Sequence, residues 1–328
     1  MKTVLVTNPF EAKVVKVKTP QLPSHGLLLS VKASGICGSD LRPWKEGIAS
    51  KNGIGHEVVG VVIEASNAAT KAGWREGMRV IPLPVPCGRC GMCLTGNEQM
   101  CPSRTHAGFE GPGGFSEILP IPALTLRLGA MLAVPDDLDD VTAVLCEPLA
   151  CVHNGQEKLN ICPGKSVWVI GSGPIGVSHA FLARKRGAST VFLSDVIKKR
   201  LDMADWVKAD HYVNAGGKDP VDEAMRLTNG KGVDIVIVCC SSPDAQAQAV
   251  HMASRLGRVL YFSGLAKGSE LIPIDISAVH RKEIVLLGAR NAARRHFSLA
   301  FEMLLKHDWN RIVTHVYSLD ETQKGFEK

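Results

Sequence analysis

The chain has 328 residues, 45% of them hydrophobic and 5% aromatic, with a formal net charge of +6. That is enough for two domains with ordinary apolar cores, and no run of 18 or more apolar residues offers a membrane span. Basic residues are dispersed, with only short local clusters such as Lys198-Lys199-Arg200 and Arg294-Arg295, which reads as solvated surface and argues against nucleic-acid binding while leaving a mild attraction for anionic small molecules.

The opening segment "MKTVLVTNPFEAKVVKV" reads as one polar-interrupted strand and carries no leader with a cleavage site, so a cytoplasmic protein is expected. In a reducing compartment the ten cysteines are expected to be metal ligands or small buried hydrophobes rather than disulfides. Residues 1–125 are rich in Val, Ile, Gly and Pro. "LLLSVKAS", "HEVVGVVIEAS" and "MRVIPLPV" read as short strands between turns, with little helical signal. Inside this stretch, "PCGRCGMCLTGNEQMC" spaces Cys87, Cys90, Cys93 and Cys101 as C-x2-C-x2-C-x7-C. Four thiolates at that spacing suit a closed tetrahedral zinc site. An iron–sulfur cluster and disulfides are the alternatives, although a ferredoxin run wants three residues before its last Cys-Pro.

Near residue 150 the texture changes. "SVWVIG" (166–171) reads as a buried parallel strand, followed by a helix through "PIGVSHAFLARKRGA". Then come a strand "TVFLSDV", a helix "KKRLDMADWVKA", a strand "VDIVIVCC", a helix "DAQAQAVHMASRL", and strands "GRVLYFSG" and "KEIVLLGA". Alternating strands and helices imply βαβ units and a parallel sheet, an α/β doubly wound arrangement. "RRHFSLAFEMLLKHD" reads as an amphipathic helix, and "SLDETQKGFEK" begins another.

Gly171-Ser172-Gly173-Pro174-Ile175-Gly176 lies between a predicted strand and a predicted helix, the setting in which GxGxxG binds a dinucleotide pyrophosphate. The acid expected about 20 residues on is Asp195, whose carboxylate would accept adenosine ribose hydroxyls and repel a 2′-phosphate. NAD is therefore expected over NADP, with Arg200 a nearby arginine that could hold the phosphate instead. Three short pieces supply a further set: "GICGSD" (35–40), "GIGHEVVG" (53–60) and "LCEPLAC" (145–151). Together they offer Cys37 thiolate, His56 imidazole and Glu57 or Glu147 carboxylate, the donors of a catalytic zinc with one position open. Asp40 is placed to take the second ring nitrogen of His56.

In this order the motifs resemble the zinc-dependent medium-chain dehydrogenase/reductase family, in its polyol (sorbitol-like) branch, where "GHE" and "CEPLA" put glutamate rather than a second cysteine at the third zinc position. The motifs run from residue 35 to about 200, with weaker similarity beyond. The resemblance implies a split GroES-like irregular β catalytic domain (1–150 with 289–328), an inserted Rossmann domain (151–288) and an active site in the cleft between them. It implies two zinc ions per chain, a catalytic one at Cys37, His56, Glu57 and Glu147 and a structural one at the four-cysteine loop. It also implies a secondary-alcohol substrate oxidised to a ketone, and a homodimer or homotetramer.

By the same resemblance Ser39 is the first hydroxyl of a proton relay, Ile175 and Ser263-Gly264-Leu265 pass near the cofactor, and Arg290-Asn291 face cofactor and substrate, while His153 reads as a packed histidine. Two departures stand out. Arg42 occupies a place where many relatives carry a relay histidine, and arginine does not release its proton. Relatives also close with a short strand, whereas this sequence stops at Lys328, either as its natural ending or as a shortened one. Threonine 3-dehydrogenase-like activity and sugar-phosphate oxidation, with Arg42, Arg290 and Arg294 available to an anion, are the enzymatic alternatives. An inactive nucleotide-binding scaffold is the non-enzymatic one.

Overall fold

The structure is a computed structural model that describes residues 1–48, 53–107 and 111–328. The chain separates into two compact units. One comprises Met1–Pro148 and Ala292–Lys328, the other Leu149–Asn291.

In the first unit, β1 (Lys2–Asn8) and β2 (Glu11–Lys16) form an antiparallel hairpin. The sequence reads as one interrupted strand here; the chain instead reverses at Pro9-Phe10, where proline supplies no ladder donor and Phe10 adopts a φ of 58°. A five-stranded sheet follows from β3 (Leu27–Gly35), β4 (Glu57–Ala65), β5 (Arg79–Pro82), β6 (Ile118–Ile121) and β7 (Met131–Ala133), in the order β6-β3-β4-β5-β7 and antiparallel throughout. Its apolar face closes on Leu27, Leu29, Val58, Val62 and Leu119. Trp44, Phe115 and Phe326 pack edge-to-face beneath the hairpin, so the last helix, Thr322–Glu327, is anchored in this core.

The second unit is a six-stranded parallel sheet: β8 (Ser166–Ile170), β9 (Thr190–Asp195), β10 (His211–Asn214), β11 (Val233–Val238), β12 (Ala253–Tyr261) and β13 (Val285–Gly288). Its order is β10-β9-β8-β11-β12-β13. This is the doubly wound order, in which the direction of winding reverses between β8 and β11, and ligands of such sheets bind outside the carboxyl ends of the strands at that point. The strands read as continuous hydrophobic runs because both faces are covered: Trp168, Val236, Val238 and Val259 are all fully buried. Each such side chain contributes about 1.5–3 kcal/mol relative to exposure.

Among the elements absent from the sequence reading are β10, the helix Pro220–Leu227, capped by Asp219, and the helices Cys146–Glu157 and Ile276–Lys282. The helix expected through 198–209 stops at Met203 and continues only as a single 3-10 turn, Asp205–Val207. The helix expected to run to Leu256 gives way to β12 at Ala253. At Ala253, which pairs with Val233 of β11, pairing in the sheet overrides helix propensity.

Candidate functional site

The register of two strands assembles the first cluster. Gly35 at the end of β3 pairs directly with Glu57 at the start of β4. Cys37, just past β3, and His56, just before β4, are thereby brought side by side. Gly35 is required for this: a Cβ there would fall 1.9 Å from Glu57 Oε2, so only a glycine lets the carboxylate lie across the strand. The ligand atoms of Cys37, His56 and Glu57 all lie within 4.8 Å of one another.

Asp40 sits behind this group on the first turn of the helix Gly38–Glu46 and is 5% exposed. Its Oδ2 accepts from the Cys37 backbone N–H at 3.0 Å, and its Oδ1 accepts from the Gly55 N–H at 3.3 Å and lies 3.4 Å from His56 Nδ1. The carboxylate thus fixes both the cysteine loop and the imidazole, leaving Nε2 of His56 as the outward nitrogen.

Burial pulls the His56 imidazole down, but hydrogen bonds with Asp40 and Cys37 and the charge of Glu147 outweigh it and push its pKa up to about 12. Burial, reinforced by the Glu147 charge, pushes Glu57 up to about 8. The Glu147 charge contributes to both shifts, alongside burial at Glu57 and hydrogen bonding at His56, and a bound cation would offset that charge. Glu147, 7% exposed in the first turn of the helix Cys146–Glu157, acts on both neighbours through its charge but stands outside the 4.8 Å set.

Sequence reasoning missed His106. Its ring centroid is 5.5 Å from that of His56, and its Nδ1 is 2.8 Å from the Ala107 carbonyl oxygen. Burial holds its pKa below the usual histidine value. Nothing in "RTHAG" marks the residue, because its placement beside the cluster depends on long-range pairing such as the bridge between Val85 and Thr105. Ser39 is exposed on the same helical turn as Asp40. Arg42 is exposed and bonded through Nε to Glu46 at 3.1 Å.

The second cluster is local. Cys87, Cys90, Cys93 and Cys101 also bring their sulfurs within 4.8 Å of one another. Cys90 and Cys93 sulfurs are 3.5 Å apart, and Cys87 and Cys93 sulfurs 3.9 Å. A zinc–sulfur bond of about 2.3 Å gives a tetrahedral edge of about 3.8 Å, so this spacing fits a single tetrahedral ion, while all four thiols are unbridged. Backbone N–H groups of Arg89 and Cys90 pull the half-buried Cys87 thiol down to about 6, toward the thiolate a metal needs. The loop is tied down by Glu98, which accepts from Arg294 N at 3.1 Å and Nε at 3.0 Å. Arg294, which the sequence offered to an anionic substrate, is committed to this structural pair and to the Leu128 carbonyl.

In the parallel unit, Gly171 (φ 99°) ends β8, and a Cβ on Gly176 would lie 1.7 Å from the Gly171 carbonyl oxygen, so helix and strand meet as closely as the fingerprint demands. Pro174 opens the helix Pro174–Lys185, and Ile175 lies half-buried in its first turn. Space above Gly173 is open. Asp195, at the end of β9 and 7% exposed, accepts from Ser172 N at 2.8 Å, Ser172 Oγ at 2.9 Å and Ile197 N at 2.9 Å. Arg200 is exposed two positions into the following helix, Lys198–Met203. Ser263, Gly264 and Leu265 follow β12, and Arg290 and Asn291 follow β13, so both groups sit at carboxyl ends of the sheet. His153 is buried in the helix Cys146–Glu157.

A Rossmann sheet with a glycine turn, joined in one chain to an antiparallel β unit that carries a Cys–His–carboxylate cluster and a four-cysteine loop, defines a zinc-type oxidoreductase. The comparisons agree. Residues 174–306 match the family model "Zinc-binding dehydrogenase", and residues 23–129 match "Alcohol dehydrogenase GroES-like domain". The chain is 29% identical to a sorbitol dehydrogenase of Bacillus subtilis (strain 168), covering 100% of this chain and 93% of the relative. It is 30% identical to an L-threonine 3-dehydrogenase of the same organism, covering 97% and 92%. A solved structure described as that of a zinc-binding dehydrogenase from Sinorhizobium meliloti 1021, bound to NADP, superposes with a TM-score of 0.89 at 29% identity, over 100% of this chain and 95% of that one. The chain belongs to the zinc-dependent medium-chain dehydrogenase/reductase family. No helix among the described residues is long and apolar enough to cross a membrane.

Proposed function

We propose that this chain oxidises a secondary alcohol of the polyol class to a ketone, with NAD as hydride acceptor and two zinc ions per chain. The observation that carries the reading is the convergence of Cys37, His56 and Glu57 within 4.8 Å, from two segments separated by residues 38–55. These three, with Glu147 close enough to act by charge, would hold the catalytic ion, and Cys87, Cys90, Cys93 and Cys101 the structural one. Bound at the first cluster, zinc would supply Lewis acidity to a coordinated alcohol. The chain's own residues prepare that site. Asp40 presents the free nitrogen of His56, Gly35 makes room for the Glu57 carboxylate, and Glu147 adds charge that favours a cation.

Asp195, buried at the end of β9 with its carboxylate fixed by the glycine turn, favours NAD. Because the Sinorhizobium relative was solved with NADP, both cofactors belong in the assay. Arg42 is paired with Glu46, so the outward proton passes from Ser39 to water or to the cofactor ribose rather than through Arg42. Engagement of Arg42 and Arg294 with glutamates also speaks against a phosphorylated substrate. A threonine-type amino alcohol remains the second reading, on the strength of the 30% identical relative. Assembly as a dimer or tetramer and a cytoplasmic setting complete the proposal.

The test is a screen of NADH and NADPH formation over free polyols, their phosphates and L-threonine, repeated with Cys37→Ser. The reading expects turnover on a free polyol to fall about a thousandfold or more in the variant, since metal activation is worth several kcal/mol, with dinucleotide binding intact. Unchanged turnover would sink it.

A further inference from the structure

Two loops of the parallel unit are held by buried side-chain amides that no motif announces. Asn154, 1% exposed on the helix Cys146–Glu157, donates through Nδ2 to the Arg290 carbonyl at 3.1 Å and to the Asn291 carbonyl at 2.9 Å. Gln246, 6% exposed on the helix Pro243–Met252, donates through Nε2 to the Ser263 carbonyl at 2.9 Å. The loops concerned leave the carboxyl ends of β12 and β13, which are neighbours in the sheet.

Successive carbonyls of an extended chain point to opposite sides, so one amide group cannot reach both. At Asn291 the chain takes a left-handed φ of 58°, which turns the second carbonyl to the side of the first, a conformation asparagine tolerates better than most residues. Asn154 uses each of its two amide hydrogens on one of these carbonyls, so its orientation is fixed: the flipped amide would face two acceptors with an acceptor. Its Oδ1 accepts no hydrogen bond from the described residues, so the side chain is spent on the loop alone.

A doubly wound sheet binds a dinucleotide across two mononucleotide halves. The glycine turn and Asp195 belong to the half formed by β8, β9 and β10, which takes the adenosine side. The loops clamped by Asn154 and Gln246 belong to the other half, β11, β12 and β13. We propose that Asn154 and Gln246 are positioning residues for the nicotinamide end of the cofactor, holding Arg290-Asn291 and Ser263 in the conformation that receives it. This inference rests on the dinucleotide reading above.

The two halves can be weighed separately by binding, without a substrate. Affinity for NADH, by its fluorescence, is compared with affinity for ADP, which occupies only the adenosine half, by calorimetry. Asn154→Asp keeps the shape of the side chain but removes both donors. It is expected to weaken NADH about tenfold and to leave ADP within about twofold. Gln246→Met, a milder change that removes one bond, is expected to weaken NADH about threefold with ADP again unaffected, and serves alone where Asn154→Asp does not fold. Equal weakening of both ligands, or no change in NADH affinity in a folded variant, overturns the inference and leaves these amides a structural role. Where the wild-type protein prefers NADPH, the same comparison is made with NADPH and 2′,5′-ADP. A wild-type protein that binds neither dinucleotide fails the underlying reading itself, a result distinct from a failure of the clamp.

Discussion

The two cysteine-bearing regions of the β unit are built on opposite principles. The loop from Cys87 to Cys101 draws four thiols from fifteen consecutive residues, with turns, one short α-helix and one 3-10 turn between them. The Cys37–His56–Glu57 cluster exists only because β3 and β4 pair in one register, and Asp40 and Gly35 support it from positions that offer no ligand. A local site is fixed by spacing and can serve as a staple. A site assembled by strand register can instead be tuned by the residues around it.

The sharpest way to break that contrast is Gly35→Ala. The new Cβ would meet the Glu57 carboxylate, the far end of a flexible side chain, so the carboxylate should move while the strands stay paired. Turnover and zinc affinity at this cluster should fall about a hundredfold or more, with the four-cysteine site still loaded. Steady-state rates together with zinc analysis decide it, and wild-type kinetics would refute the register argument. Cys93→Ser probes the staple. On the two-zinc proposal, zinc should drop from two ions to one per chain, and melting should fall on the order of 5–10 °C, because closed zinc sites contribute folding energy. Loss of metal from the Cys37 cluster in that variant would show that the two regions are not independent.

Asp40→Asn should be milder, costing about 10–100-fold in zinc affinity by chelator competition, since it weakens the hold on His56 Nδ1 without removing a ligand. Glu98→Gln has the smallest effect, about 1 kcal/mol at neutral pH once solvent screening is allowed for. Its pH dependence has a definite sign. Hydrogen bonding to Arg294 holds the Glu98 carboxyl below its usual value, so its stabilisation is present above about pH 4.3 and disappears as pH falls through the lowered folded value. Denaturant melts of wild type and variant should therefore differ at pH 7 and converge in acid. A constant difference across that range would mean Glu98 acts by packing alone.

Much of the parallel unit was legible along the chain. Strands buried on both faces write themselves as continuous apolar runs, and the glycine turn is a contiguous motif whose close helix–strand approach dictates its residues. The amphipathic strand β10 was not legible, because four residues with alternating burial carry little periodic signal. Arg294 looked available to an anion on composition. Only the packing of its helix N-terminus against Glu98, 196 residues earlier, commits it elsewhere.

What the sequence determined by itself is chemistry at fixed spacing: the four-cysteine loop, the glycine turn with Asp195, and the presence of thiol, imidazole and carboxylate in three separate motifs. What the tertiary structure decided is which of these meet. The pairing of Gly35 with Glu57, the turn of His106 toward His56, and the amides that bind carbonyls more than a hundred residues away in the case of Asn154 all depend on long-range pairing. Contacts of that kind are set by sheet register and helix packing, which no local pattern encodes.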